Sequence, residues 1–304
     1  MKVLNFGSLN LDYVYQVDHF VTKGETLSSK SMQLFCGGKG LNQSLALQKA
    51  GVQVWHAGVV GPDGTPLTDT LSAAGVDVSL VRRVESPQTG CAIIQNDRSG
   101  DNCILLYSGA NHAVDQAMVG SVLAHFDTGD WLVLQNEISC LGYIVEAAHA
   151  TGMHIVLNPS PMDENILALD PTMIDILLLN EVEGEALAGK ESNRMALLER
   201  LGRKFPGTEI VLTLGEEGSL YQGPEGTVRQ RACRPPQVVD TTAAGDTFTG
   251  YYLAQRITGH SAAQALETAA RASAIAVSRP GAAASIPTRE EVRAFVPAAQ
   301  DIQS

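Results

Sequence analysis

Between Val238 and Ala254 the chain reads VVDTTAAGDTFTGYYLA, with Asp240 and Asp246 on either side of Ala243, Ala244 and Gly245. A carboxylate at a helix start ordinarily caps it. The same pattern suits phosphoryl transfer. Small residues let backbone N–H groups face a phosphoryl group, and a helix beginning near Gly245 adds a field that favours negative charge. Asp246 would then stand beside that anion site, able to take a proton from a hydroxyl attacking the γ-phosphorus. A carboxylate is a weak base, but in a loose transition state positioning supplies much of the catalysis. Asp240, across the loop, would cap it or bind a cation. From these residues alone, capping with tight helix packing stays open beside catalysis.

A second stretch, CGGKGLNQSLALQKAG at Cys36–Gly51, opens on Gly37, Gly38 and Gly40. Glycine permits positive φ or close backbone approach, and Asn42 projects from the start of the helix that follows. A glycine turn at a helix N-terminus carrying Lys39 and Asn42 suits a polyhydroxylated or anionic ligand; a plain turn into a helix is the alternative. Other phosphate motifs are missing. There is no G-x-x-x-x-G-K-[ST], GVVGPDG does not make G-x-G-x-x-G, and no G-x-S-x-G elbow occurs. Cys36, Cys91, Cys103, Cys140 and Cys233 are odd in number and never spaced C-x-x-C, and the seven histidines lack metal-ligand spacing. Free thiols and structural histidines are expected.

These loops need elements to hold them. The 304 residues are 44% hydrophobic, enough for one large core or two modest ones. Strand-like runs (KVLNFGS, VQVWHAGVV, WLVLQNE, HIVLNPS, DILLLN, EIVLTLG) alternate with helical patterns such as IVEAAHA and MALLERLGRKF. Several runs are apolar on both faces, as strands buried between helical layers must be. The expected fold is α/β, a three-layer sandwich around a mostly parallel sheet, with residues 1–304 as a single domain. Two regions break the rhythm. Residues 11–33 are mixed and loop-rich, and 89–111 reads as two strands joined by the turn NDRSGD. Together they would make a small β-flap, or lid, over one end of the sheet, packing against a second subunit; a plain edge hairpin is the alternative.

The formal charge is −12, with 33 acidic and 21 basic residues and no Lys/Arg-rich block, so nucleic acid is not an expected partner. No apolar run reaches the ~18 residues of a membrane span. The N-terminus lacks a signal-peptide pattern, so a cytoplasmic location is expected.

Taken in order, seven motifs resemble the ribokinase-like (PfkB) carbohydrate kinases over nearly the whole chain: GSLNLD at Gly7–Asp12, GGKGLNQS at Gly37–Ser44, NPSP at Asn158–Pro161, NEVE at Asn180–Glu183, TLGEEG at Thr213–Gly218, DTTAAGDTFTG at Asp240–Gly250 and AVSRPGAAASIP at Ala276–Pro287. The resemblance implies Asp246 as catalytic base and Ala243, Ala244 and Gly245 as the anion hole. It implies Asn10 and Asp12 at the end of the first strand, with Gly38, Lys39, Asn42 and Glu137, around a sugar. Asn180 and Glu183 would serve the phosphate–Mg²⁺ side, Glu183 through metal-bound water, and Thr213 and Gly215 would border ATP. A monovalent cation, K⁺, would sit among Asp240, Ser285 and the carbonyls of Thr242, Ala276, Arg279 and Gly281. The implied activity is an ATP-dependent sugar kinase, with the primary hydroxyl of D-ribose as acceptor. A nucleoside kinase or another sugar kinase such as a fructokinase is the enzymatic alternative, and a silent sugar or nucleotide binder the non-enzymatic one. Three positions depart from the family pattern: Tyr251, where Gly or Ala is usual, Ala270, where relatives often place Asn or His beside the adenine, and Pro66, which ends the G-x-D-x-x-G pattern in GPDGTP and suits a first helical turn.

Overall fold

The computed structural model describes residues 1–99, 101–235 and 237–296; Gly100 of the expected NDRSGD turn and residues 297–304 of the expected domain lie outside them. Nine strands form the central sheet: β1 (Val3–Phe6), β4 (Val54–Val60), β5 (Asp77–Arg83), β8 (Trp131–Gln135), β9 (His154–Asn158), β10 (Ile176–Asn180), β11 (Glu209–Thr213), β12 (Ser219–Gly223) and β13 (Gly226–Gln230). Their order is β13-β12-β11-β10-β9-β8-β1-β4-β5. The pairs from β5 to β11 are parallel, and β12 and β13 add an antiparallel edge. All six strands expected from apolar runs are present; β5 and β13, partly exposed and mixed in composition, and the short, largely buried β12 are additional.

Both faces of the sheet are covered. On one lie α3 (Gln116–Leu123), α4 (Leu141–Thr151), α6 (Glu181–Ala188) and α7 (Arg194–Lys204), whose Val119, Ile144, Leu187 and Leu198 pack with Leu132, Leu177 and Leu212. On the other lie α1 (Lys39–Lys49), α2 (Thr65–Ala73), α8 (Ala244–Ile257) and α9 (Ala262–Ala276), whose Leu45, Leu71, Tyr252 and Leu266 pack with Val3, Val133 and Val211. Short α5 (Glu164–Leu167) and α10 (Arg289–Ala294) complete the helices. This is the expected three-layer sandwich, and double-sided burial explains why the central strands read as continuous apolar runs. Among the described residues, no helix is long and apolar enough to cross a membrane.

A second sheet carries β2 (Asn10–Gln16), β3 (Ser31–Gly37), β6 (Gly90–Asn96) and β7 (Asn102–Tyr107) in the order β3-β2-β6-β7. The 11–33 segment is therefore less loop-like than its composition indicates: it supplies most of β2 and half of β3, which continues to Gly37. Tyr13, Val14 and Tyr15 favour extended backbone, and their ladders to β3 and β6 override the polar residues around them. Every residue of β7 is exposed, including Ile104, Leu105, Leu106 and Tyr107.

Candidate active site

The site lies beyond the carboxyl ends of the central strands, where open α/β sheets bind ligands. Asp246 occupies the first turn of α8 and is buried. Ala243 precedes that helix in the left-handed region at φ 60°, an uncommon conformation for a residue with a Cβ and one that concentrates at functional loops. Asp246 Oδ2 accepts from Asn42 Nδ2 at 3.0 Å and Oδ1 from Gln43 Nε2 at 2.9 Å. Both donors stand on the first turns of α1, so the two motifs 203 residues apart meet at one carboxylate.

Gly38 starts α1 at φ 92°, where a side chain would be strained. A Cβ on Gly40 would come 2.4 Å from the Ser8 nitrogen, so only glycine lets α1 press onto the loop after β1. That contact sets Gly37 and Gly38 beside Asp12 and Asn10 and the Lys39 N–H on Glu137. Asn10 and Asp12 belong to β2 of the small sheet and not to the end of the first strand, because β1 stops at Phe6 and the chain crosses over before pairing again. Glu137 accepts from Ser8 Oγ and, at 3.2 Å, from the Lys39 N–H. Asn111 Nδ2 donates to Asn10 Oδ1 at 2.7 Å, which turns the Asn10 amide nitrogen the other way.

Charge is concentrated here. Burial, then Glu137, then Asp246 push the Asp12 carboxyl up from an ordinary 3.8 to about 7. For the Lys39 ammonium, burial pulls downward, but Asp246, Glu137 and Glu183 together outweigh it and the net direction is up. Lys39 is thus a retained positive charge facing three carboxylates. Asn42 Oδ1 is buried without a hydrogen-bond partner among the described residues, an acceptor left open beside Asp246.

On the far side of Ala244 and Gly245 opens a cleft of about 290 Å³ that also includes Thr213, Gly215, Phe248, Ala270 and Val277. Its walls are mostly apolar, as a nucleobase slot requires. Tyr251 points away from it: its hydroxyl is buried and donates to Pro287 O at 2.8 Å, so this departure is absorbed by packing behind the site. Ala270 lines the cleft beside Cys233 and Ala274.

Other expected residues are arranged differently from the simplest reading of their roles. Ala244 N–H donates to Thr241 O at 3.2 Å, so it closes the turn, and Gly245 leads the unpaired first turn of α8. Asn180 and Glu183 form a reciprocal capping box on α6, each side chain 2.9 Å from the other's backbone nitrogen; the buried Glu183 still acts on Lys39. Thr213 Oγ1 donates to Leu179 O at 3.3 Å. Asp240 Oδ1 accepts from Thr242 N at 2.8 Å and Oδ2 from Gly281 N at 2.9 Å, tying the two loops together. The Ala276 carbonyl accepts from Arg279 N at 3.1 Å, and buried Ser285 donates to Ala282 O at 2.8 Å. Sequence reasoning missed Ser8, Gln43, Asn111, Gln135 and Asn158. Ser8, Gln43 and Asn158 lie inside the quoted motifs, whereas Asn111 and Gln135 carry no such signal.

The chain matches the pfkB family carbohydrate kinase model over residues 1–289. It is 34% identical to a ribokinase of Haemophilus influenzae over 300 residues, covering 95% of this chain and 96% of that protein. It is 32% identical to a ribokinase of Schizosaccharomyces pombe, covering 96% of each. The fold superposes on Cryptococcus neoformans ribokinase in complex with ADP with a TM-score of 0.86 at 32% identity, covering 96% and 99% of the two chains. It superposes on Arabidopsis thaliana ribokinase complexed with ribose and ATP with a TM-score of 0.85 at 27% identity, covering 96% and 97%. The protein belongs to the pfkB family of carbohydrate kinases, phosphotransferases that act on an alcohol group.

Proposed function

We propose that this protein is an ATP-dependent ribokinase, transferring the γ-phosphoryl group to the primary hydroxyl of D-ribose to give D-ribose 5-phosphate. The observation that carries the reading is the position of Asp246. It touches Asn42 and lies near Asp12 and Lys39 on the side of the polar pocket, while its helix presents Gly245 to the apolar cleft. Ribokinases of similar sequence support ribose as the acceptor.

Asp12, Glu137 and the Asn42 Oδ1 accept sugar hydroxyls, and Asn10 and Lys39 donate to sugar oxygens. The primary hydroxyl then points at Asp246. As its oxygen bonds to the γ-phosphorus, Asp246 takes its proton and the bond to the β-phosphate oxygen breaks, ADP leaving with the electron pair. Gly245 N–H and the N-terminus of α8 stabilise the negative charge on the transferring group, and Lys39 adds a positive charge alongside. Thr213 and Gly215 flank the nucleotide.

Among the described residues there is no group of three or more His, Cys, Asp or Glu that could hold a metal ion. Mg²⁺ would arrive on ATP, since it keeps several waters and needs one or two carboxylates; Glu183 would reach it through water. Oxygen donors at Asp240, Thr242, Ala276, Arg279, Gly281 and Ser285 form the set for K⁺, which when bound adds positive charge beside the anion hole. We assign the small sheet as the lid of a single kinase domain. The exposed apolar residues of edge strand β7 support a homodimer formed through it.

The test is ADP release from MgATP with ribose, 2-deoxyribose, fructose, pseudouridine and inosine, using Asp246→Asn as the blank. Ribose turnover that is lost in the variant is expected. Turnover only with a nucleoside would replace the acceptor, and no turnover with any compound would point to a silent binder.

A further inference from the structure

Beneath Asp246 runs a chain of side-chain amides that the reaction above does not use. Gln43 Nε2 donates to Asp246 Oδ1 at 2.9 Å and to Asn158 Oδ1 at 3.2 Å. Gln43 Oε1 accepts from Gln135 Nε2 at 2.7 Å, and Gln135 Nε2 also donates to Asn5 Oδ1 at 3.0 Å. Asn5 Nδ2 gives its hydrogens to Gly40 O at 2.7 Å and Ser44 Oγ at 2.8 Å, and Ser44 Oγ lies 2.8 Å from His56 Nδ1. Asn5, Gln43, Ser44, His56 and Gln135 are all 0% exposed. The chain crosses from β1 and β4 through β8 to β9, so it is anchored on the sheet and not on a loop.

We infer that Gln43 and Gln135 are positioning residues that fix the orientation of the Asp246 carboxylate, and that Gln135 acts only through Gln43. The inference rests on the reading of Asp246 as the base. Its physical content is direction. An amide has two donor hydrogens on one end and an acceptor on the other. Turning the Gln43 amide over would aim its oxygen at the carboxylate and at Asn158 Oδ1 and its nitrogen at Gln135 Nε2, losing all three bonds at a fully buried side chain. With Gln43 locked, Asp246 is held at Oδ1 from the sheet side and at Oδ2 by Asn42, which sets the plane of the carboxylate toward the hydroxyl. The other charged groups that act on it, Asp12 from β2 and Lys39 from α1, bear through space and give no such directional hold.

The experiment measures kcat and KM for ribose and MgATP in Gln43→Met, Gln135→Met and the double variant, with melting curves as a folding control. Misplacing the base should lower kcat of Gln43→Met about 10- to 100-fold with both KM values within about threefold. Gln135→Met should lose roughly 3- to 10-fold, because Gln43 keeps its bonds to Asp246 and Asn158 but loses the one that fixes its oxygen. The double variant should be no slower than Gln43→Met alone, since the second residue has nothing left to orient. A Gln43→Met kcat within about twofold of the parent, or a double variant showing the product of the two losses, would overturn the inference. If Gln43→Met does not fold, Gln135→Met decides: a kcat loss at constant KM supports the role, and an unchanged kcat refutes it. Asp246→Asn is run alongside. Retained turnover there refutes the base reading itself, whereas lost turnover there with full activity in the glutamine variants refutes only the positioning role.

Discussion

Asp12 should weaken the fold at neutral and mildly alkaline pH, and Asp12→Asn should remove that weakness. Its carboxyl titrates at about 7 in the folded protein against an ordinary 3.8, owing first to burial and then to Glu137 and Asp246. The folded state therefore holds a proton that the unfolded chain has released, so stability falls as pH rises between these values. At about 1.36 kcal/mol per pH unit, the full penalty is about 4 kcal/mol, absent below the unfolded value and complete above about pH 8. Asparagine keeps the shape and carries no charge. Urea unfolding at a series of pH values should show Asp12→Asn more stable than the parent by up to about 4 kcal/mol near pH 8, with the advantage shrinking by about half or more toward pH 5. The same variant should raise the KM for ribose about tenfold, since a charged acceptor for sugar hydroxyls becomes a neutral amide. A stability difference that stays constant with pH, or grows toward acid, would show that Asp12 is not held against its neighbours' charge, and the electrostatic account of the pocket would fail.

Gly250→Ala should unsettle the contact between α1 and α8. The new Cβ would stand 2.3 Å from Ala46 Cβ and 2.9 Å from Leu47 N, so denaturant unfolding should register a loss of about 1–3 kcal/mol, with Ala46→Gly restoring part of it; no loss would mean that the helices are free to separate. K⁺ should raise turnover above that in Na⁺ or Tris, and Asp240→Asn should flatten the response; an equal response in all three buffers would remove the cation site. Sedimentation should show a dimer at micromolar concentration and a monomer for Leu105→Asp, a residue 67% exposed on β7; a monomeric parent would refute the interface.

The local signals were strong where one short stretch holds its own reason. The Ala-Ala-Gly run before Asp246 and the glycines around Lys39 announce close backbone approach, and apolar runs such as DILLLN announce strands covered on both faces. The sequence by itself therefore determined the layered α/β fold and singled out the two glycine-containing loops, with Asp246 as the candidate base. It placed Asn10 and Asp12 on the wrong strand, because the break between β1 and β2 spans only Gly7 to Leu9 and polar residues on either side look alike. It gave no partner for Gln135 or for Asn158, although Asn158 opens the quoted NPSP, since a polar residue at a strand end is unremarkable until its partner is known. Tertiary structure alone decided which of the two loops' groups touch, that Gln43 reaches an aspartate 203 residues away, and that burial of Asp12, with Glu137 and Asp246 nearby, moves its carboxyl to neutral pH. The physical reason is range. Backbone conformation and burial pattern are set by neighbours in the chain, whereas hydrogen-bond direction and charge depend on distances in space that no local pattern encodes.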